Sequence, residues 1–398
     1  MLQITNYRQG AILNHNHGAE TDESLKIHLE GICDGHPVKV NETPAFMDGQ
    51  FFSAEVELTQ QFNTVTITEQ TPFGLFSQQI VLVWDKKSFK RHDCYIDDHS
   101  FLFTDLAKER PAKAFDHFYL SGLKKIHDKY GLKVTLNCFF RNDHDGKFTL
   151  DQMPDIWKSE FIDNSDWLKM SFHAKSEFPD RPYLESTAED FGKDYDEVKN
   201  EIIRFAGEET WIVPEVIHWA NIHPVVAQEV FRRGTRCLAP SMRPCVMGGP
   251  SLADRMKGGN MAKVQQRSVS GEDRSAGTAG LAMFYDNQPE KSYMTNHGFY
   301  YDPMLGIVIK NSSVSLCCNL VPLDQTARKL EITFERNRKS GCEMFNWGSH
   351  EQYTFPYYPN YLPDHLQRIE LAAKILAENG YKSVFFNEGF MGNMSWEK

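Results

Sequence analysis

The sequence predicts an α/β protein in which a small all-β sandwich is followed by a (β/α) barrel. Three observations lead there. Residues 1–88 alternate apolar and polar side chains with period two, broken by turn signals. Beyond residue 88 the rhythm changes to strands alternating with helices. Several of those later strands end in acidic or imidazole side chains.

In the first part, Leu25–Gly31, Phe51–Leu58 and Asn63–Thr68 read as strands separated by Asp34-Gly35, Met47-Asp48-Gly49-Gln50 and Pro72-Phe73-Gly74. Turns at this spacing suggest an antiparallel, Ig-like β-sandwich, closed by a last strand over Gln79–Trp84. Asp85-Lys86-Lys87-Ser88 reads as a linker. In residues 89–398 the candidate strands are Cys94–Ile96, Leu132–Phe140, Leu168–Phe172, Trp211–Val213 continuing to Val216–His218, and Arg236–Ala239. Helical periodicity covers 115–129, 189–206, 223–233 and 363–379, the last ending in the C-cap signal Asn379-Gly380. Such alternation builds a barrel with a parallel core. Residues 241–300 interrupt it with Gly248-Gly249-Pro250, Gly258-Gly259 and a Ser/Gly-rich stretch, and read as a long loop excursion over the barrel mouth.

Composition narrows the function. The 398 residues carry 41% hydrophobic side chains, enough for ordinary cores. A net charge of −11 without a basic cluster argues against nucleic acid or an anionic membrane as partner. No leader-like segment opens the chain and no apolar run approaches membrane-spanning length, so a cytoplasmic protein is expected, or one trimmed of its leader. The eight cysteines lack CxxC spacing and read as reduced core thiols. A homo-oligomer is compatible with all of this.

The chemistry begins with Asp97-Asp98, closing the run His92-Asp93-Cys94-Tyr95-Ile96-Asp97-Asp98-His99. Strands disfavour aspartate and adjacent like charges repel, so the pair calls for a user. A divalent cation takes one carboxylate as a ligand, and a water gives its proton to the other. Loops at the strand ends of a barrel converge on one opening. There the chain places His173 and Glu177, within the segment His173–Tyr183, then His218-Trp219, and His350-Glu351 after Met344–Ser349. Arg181, Tyr183, Trp219, Trp347, Glu351 and Tyr353 are candidate substrate contacts, Trp219, Trp347 and Tyr353 as aromatic walls. Asp143-His144-Asp145-Gly146 reads as a turn.

The order of β-sandwich, Asp-Asp after the first barrel strand, His173 with Glu177 four residues on, and a late strand ending in His350 resembles the polysaccharide deacetylase (NodB-homology) superfamily of family 4 carbohydrate esterases. The likeness covers residues 89–398, with 1–88 as an accessory domain. It implies a distorted (β/α) barrel of that type and a divalent metal ion, Zn²⁺ first, with Mn, Co or Ni as alternatives. It further implies Asp97 as general base, Asp98 and His173 as metal ligands, and His350 as the acid that protonates the leaving group. Glu177 stands where the family's second motif has a histidine, and Ile217-His218-Trp219-Ala220-Asn221 stands where an Arg-x-Pro-Tyr segment is usual. The third ligand is therefore either His218, which is preferred because imidazole commonly joins an Asp/His site, or Glu177.

The expected activity is a metal-dependent hydrolase that removes an N- or O-acetyl group from a carbohydrate. The altered motifs keep two alternatives open, a non-hydrolytic sugar epimerase or lyase on the same scaffold and a catalytically decayed carbohydrate-binding protein.

Overall fold

The computed structural model describes residues 2–179, 181–220, 222–239, 289–311 and 316–397. They form a mixed α/β protein with several sheets and eight α-helices among the described residues. Ten short strands occupy the first part. They are β1 (Gln3–Ile4), β2 (Ile12–Leu13), β3 (Gly18–Glu20), β4 (Leu25–Ile32), β5 (Val38–Val40), β6 (Thr43–Pro44), β7 (Phe46–Asp48), β8 (Phe51–Leu58), β9 (Phe62–Thr71) and β10 (Gly74–Trp84). One five-stranded sheet runs β1-β4-β8-β7 with β3 on β4, and the other runs β2-β10-β9-β5-β6. Every pairing in them is antiparallel except β2 with β10, which is parallel.

Alternation explains their packing. Along β4, Leu25, Ile27 and Leu29 are buried while Lys26, His28 and Glu30 are exposed. These side chains join Val56 and Leu58 of β8, Val65 and Ile67 of β9 and Ile80 and Leu82 of β10 in one hydrophobic cluster, so both sheets share a core.

The second part contains β11 (Arg91–His99), β12 (Val134–Phe139), β13 (Leu168–Ala174), β14 (Cys237–Leu238), β15 (Phe299–Asp302), β16 (Ile307–Lys310), β17 (Leu316–Cys317), β18 (Met344–His350) and β19 (Lys382–Ser383). Its helices are α1 (Phe101–Glu109), α2 (Phe118–Tyr130), α3 (Lys158–Asp163), α4 (Ala188–Ala206), α5 (Pro224–Arg232), α6 (Pro289–His297), α7 (Thr326–Ser340) and α8 (His365–Glu378). A parallel sheet of order β13-β12-β11-β18-β17 forms the centre, with β19 on the start of β11. Among the described residues it does not close on itself, and β14-β16-β15 form a separate small sheet. Helix α4 shows how the helices attach. Thr187 accepts the Asp190 N–H at 3.0 Å as N-cap, and Phe191, Tyr195, Val198, Ile202 and Phe205 bury one face. No helix among the described residues is long and apolar enough to cross a membrane.

Three expectations change. The strand expected over Trp211–His218 is a single bridge from Trp211 to Met170, because the segment pairs through isolated carbonyls instead of a ladder. Of the excursion expected over 241–300, residues up to 288 lie outside the described residues, and the remainder is ordered as α6 and the start of β15. The expected linker 85–88 is a buried polar lock. Asp85 is 1% exposed and Arg91 0%, with the guanidinium Nη2 3.0 and 3.1 Å from the two carboxylate oxygens. Ser88 donates to Asp85 at 2.7 Å, and Asn393 from the far end of the chain donates to it at 2.8 Å.

Removing one member of a buried ion pair leaves the other charge without compensation. Arg91→Met is therefore expected to cost about 3–5 kcal/mol of stability, read from the urea midpoint at constant m.

Candidate metal centre

Two irregularities in the parallel sheet aim the site. The β11–β12 register slips between Ile96 and His99, and Asp98 adopts a left-handed φ of +69° that aspartate tolerates better than most residues. In a regular strand Asp97 and Asp98 would face opposite sides. Here both carboxylates approach one imidazole, His173. The β12–β13 register slips in turn at Cys138/Phe139, opposite Phe172 and Ala174, so His173 is the extra residue of that strand.

Asp98 Oδ1, His173 Nε2 and His218 Nδ1 converge. His173 Nε2 lies 3.1 Å and His218 Nδ1 3.4 Å from the Asp98 oxygen, and the two nitrogens are 3.2 Å apart. All three residues are buried, and Asp98 Oδ1 makes no hydrogen bond among the described residues. The far nitrogen of each ring is occupied. His173 Nδ1 lies 3.2 Å from the Val216 carbonyl and His218 Nε2 3.1 Å from the Glu177 carbonyl, so each neutral ring carries its hydrogen there. That leaves two nitrogen lone pairs and a carboxylate oxygen facing one another with no donor between them. Such a trio needs a cation or a proton. A tetrahedral Zn²⁺ with bonds of about 2.0–2.1 Å spaces its ligand atoms about 3.3 Å apart, which is the size of this triangle. The donor set fits a divalent transition metal, and the identity of the ion is not fixed by it.

Asp97 adds a second carboxylate beside this trio, and amide donors and His350 flank the pair. Asp97 accepts from Asn137 Nδ2 at 2.7 Å and lies 3.8 Å from His173 Nδ1. Gln352 donates to Asp98 Oδ2 at 2.9 Å, and His350 Nε2 sits 4.0 Å from the same oxygen. Burial works against charge on the Asp98 carboxyl, but His350 and the neighbouring His173 and His218 rings outweigh it and hold the group well below the usual carboxylate range. Burial likewise opposes charge on His350, yet Asp98 beside it raises that imidazole to about 10.

Asp97, Asp98, His173, His218 and His350 thus meet in one cluster. Other expected site residues lie elsewhere. The Glu177 carboxylate lies outside the Asp98–His173–His218 group, turned to His144 Nε2 at 2.5 Å, while its backbone carbonyl lies 3.1 Å from His218 Nε2. Trp347 is fully buried and donates to His92 Nδ1 at 3.1 Å, which makes it core and not a sugar-stacking wall. Tyr183 is also buried, its hydroxyl accepting the Lys175 N–H and donating to Asp194. Glu351 is inaccessible to substrate because it caps α1. Its Oε2 accepts the Ser100 and Phe101 N–H groups at 2.8 and 2.9 Å, and its Oε1 the Leu102 N–H at 2.7 Å. Trp219 follows His218 with a left-handed φ of +63°, and the Arg181 guanidinium lies 5.0 Å from its ring. Tyr353 stands edge-on to His350 at 6.4 Å.

Several contributors carry no sequence signal of their own. Asn137, Asn319 and Gln352 are ordinary amides until the fold aims them. Asn319 fixes His350 by contacting Nδ1 at 3.0 Å. The run Asp143-His144-Asp145, read as a turn, supplies His144 to the wall. From His350 the wall passes through Tyr353 and Tyr358 to His144 and on to Glu177. No protein-family model matches this chain, and no curated protein matches it in sequence.

Burial lowers the His173 imidazole, but Asp97 and then Asp98 outweigh it and raise the ring above its ordinary value, so protons compete with a cation for its Nε2 lone pair. Zn²⁺ affinity is therefore expected to fall as pH drops from about 8 to about 6, with proton release seen by titration calorimetry in buffers of different ionisation enthalpy. Asp98→Asn is expected to weaken binding by more than the roughly 10–100-fold that loss of an outer partner costs. Glu351→Gln puts an NH₂ group against the α1 N–H groups. It should cost about 1–3 kcal/mol in urea denaturation while leaving the metal stoichiometry unchanged.

Proposed function

We propose that this chain is a metal-dependent hydrolase that removes an N- or O-acetyl group from a carbohydrate. In this reading residues 89–398 form a polysaccharide deacetylase-like (β/α) barrel and residues 1–88 an Ig-like accessory sandwich. The observation that carries it is the buried convergence of Asp98, His173 and His218 with Asp97 and His350 on its flanks.

When bound, a divalent cation supplies Lewis acidity at the acyl carbonyl. The protein's own groups do the proton transfers. Asn137 holds one oxygen of Asp97, leaving the other to take the proton of the attacking water. His350 is positioned as the acid. Asn319 engages its Nδ1, and its Nε2 faces the opening with a proton to give to the leaving nitrogen or oxygen. Buried Asp98 carries the charge that keeps His350 protonated at neutral pH. Arg181 on Trp219, with Tyr353 beside His350, offers a donor and ring faces for a sugar.

A specific observation favours a second reading. The His144–Glu177 pair is an imidazole oriented by a carboxylate, which a hydrolysis run by Asp97 and His350 does not need. An epimerase or lyase acting next to a carbonyl would use such an extra acid–base pair.

Zn²⁺-loaded protein incubated with N-acetylated chito-oligosaccharides and acetylated xylan is expected to release acetate, with the product lighter by one acetyl group. Asp97→Asn should lower kcat by about 10²–10⁴ while retaining the metal. A product of unchanged mass sinks the hydrolytic reading in favour of epimerisation, and sugar binding without any turnover identifies a binding protein.

A further inference from the structure

His218 and the Val216 carbonyl that orients His173 both come from residues 212–218, a stretch with no regular strand. Coil of this kind keeps its place only through specific anchors, because no ladder of backbone hydrogen bonds holds it. Its near end is fastened by Thr235 to the Pro214 carbonyl at 2.8 Å and by Asn387 to the Val213 and Pro214 carbonyls at 3.2 Å each. The next residue, Glu215, is 3% exposed and points to Lys310, whose Nζ lies 2.8 Å from Glu215 Oε2 and 3.1 Å from Asp93 Oδ2. Lys310 and Asp93 are both 0% exposed. Asn346 donates to the same Asp93 oxygen at 3.1 Å. Asp93 belongs to β11, the strand that ends in Asp97-Asp98.

We propose that the buried Asp93–Lys310–Glu215 triad positions the metal centre, with Lys310 tying the coil that supplies His218 and the Val216 carbonyl to the strand that supplies Asp98. The inference rests on the reading of Asp98, His173 and His218 as metal ligands. One ammonium faces two carboxylates, and Asp93 Oδ1 and Glu215 Oε1 have no heavy-atom donor among the described residues. A single proton between those two oxygens satisfies both and leaves the triad neutral. Burial first, and Asp93 second, push the Glu215 carboxyl well above the usual range, in keeping with that proton. Glutamine at 215 reproduces this arrangement, with its oxygen on Lys310 and its NH₂ on Asp93. Leucine fills the same space and severs both contacts. None of the three residues touches the metal position, so they act through Val216 and His218.

The experiment measures Zn²⁺ affinity of the full chain by chelator competition, with the fold checked by circular dichroism. Glu215→Leu is expected to bind about 10–100-fold more weakly than the parent, and Glu215→Gln to stay within about 3-fold. In the metal-free protein, the His173 Nδ1–H resonance donated to Val216 should be present in the parent and Glu215→Gln and absent in Glu215→Leu. Parent-like affinity in a folded Glu215→Leu overturns the proposal, as does a tenfold loss in Glu215→Gln. Failure of Glu215→Leu to fold assigns the triad to stability alone and overturns it as well. If the parent binds no Zn²⁺, the metal reading fails by itself. The His173 resonance then decides whether the triad positions the imidazole.

Discussion

The structure depends on burying a charged strand. Six of the nine residues of β11 carry carboxylate, guanidinium or imidazole side chains, Arg91, His92, Asp93, Asp97, Asp98 and His99, and all nine are buried between β12 and β18. A group left charged and alone there would cost several kcal/mol, so each needs a partner in a dry interior. The partners arrive from distant points in the chain. Arg91 meets Asp85, His92 receives the Trp347 N–H, Asp93 meets Lys310, Asp97 receives Asn137, and His99 sits between the Ile96 carbonyl and Tyr119. Burial draws His92 and His99 down to about 3, so both remain neutral and serve as hydrogen-bonding core. Asp98 is different, because one of its oxygens faces two imidazole nitrogens and no donor. Among the described residues Asp93 Oδ1 also lacks a donor, but only at Asp98 does the bare oxygen meet two imidazole nitrogens, and there a cation fits.

The fold spends backbone regularity to reach this arrangement. The slips at Asp97-Asp98 and at His173 interrupt two ladders, and Asp98 and Trp219 both hold left-handed backbone. The two slips bring Asp98 and His173 to within 3.1 Å of each other. The coil before His218 is a third departure, and its carbonyls become useful because no neighbouring strand consumes them. Val216 and Glu177 each offer a backbone oxygen to an imidazole of the trio, which favours one tautomer of each ring. Rigid strands carry Asp98 and His173, while the coil lets His218 approach from the side.

Sequence patterning was most legible where periodicity and burial coincide. β4, β8, α2, α4 and α8 follow their apolar spacing closely, because one face of each meets a core and the other meets water. Helix α7 escaped, since Thr326–Ser340 is rich in charge and buries only Leu330, Phe334 and a few polar side chains. The segment from Trp211 to His218 misled in the opposite direction. Its apolar residues look like a strand, yet they pack as coil. Among the site residues, Trp347 and Glu351 sit beside His350 in sequence but face away from the opening, one into the core and one onto the α1 N-terminus. Strand alternation gives adjacent residues different surroundings, so nearness in sequence to His350 was no guide to nearness in space.

The sequence by itself determined that the chain is α/β, that its first part is built of short strands, that the adjacent Asp97 and Asp98 are a pair folding alone would not favour in a strand, and that His173, His218 and His350 are candidates to join them. Those statements depend on local pattern and on the intrinsic cost of acidic groups in strands. Only the tertiary structure brings His218 to within about 3.5 Å of Asp98 Oδ1 and turns the Glu177 carboxylate to His144, a matter of carbonyl positions and register slips. It alone also revealed His144 beside Glu177 and Lys310 beneath the centre, residues whose neighbours come from elements far apart in the chain.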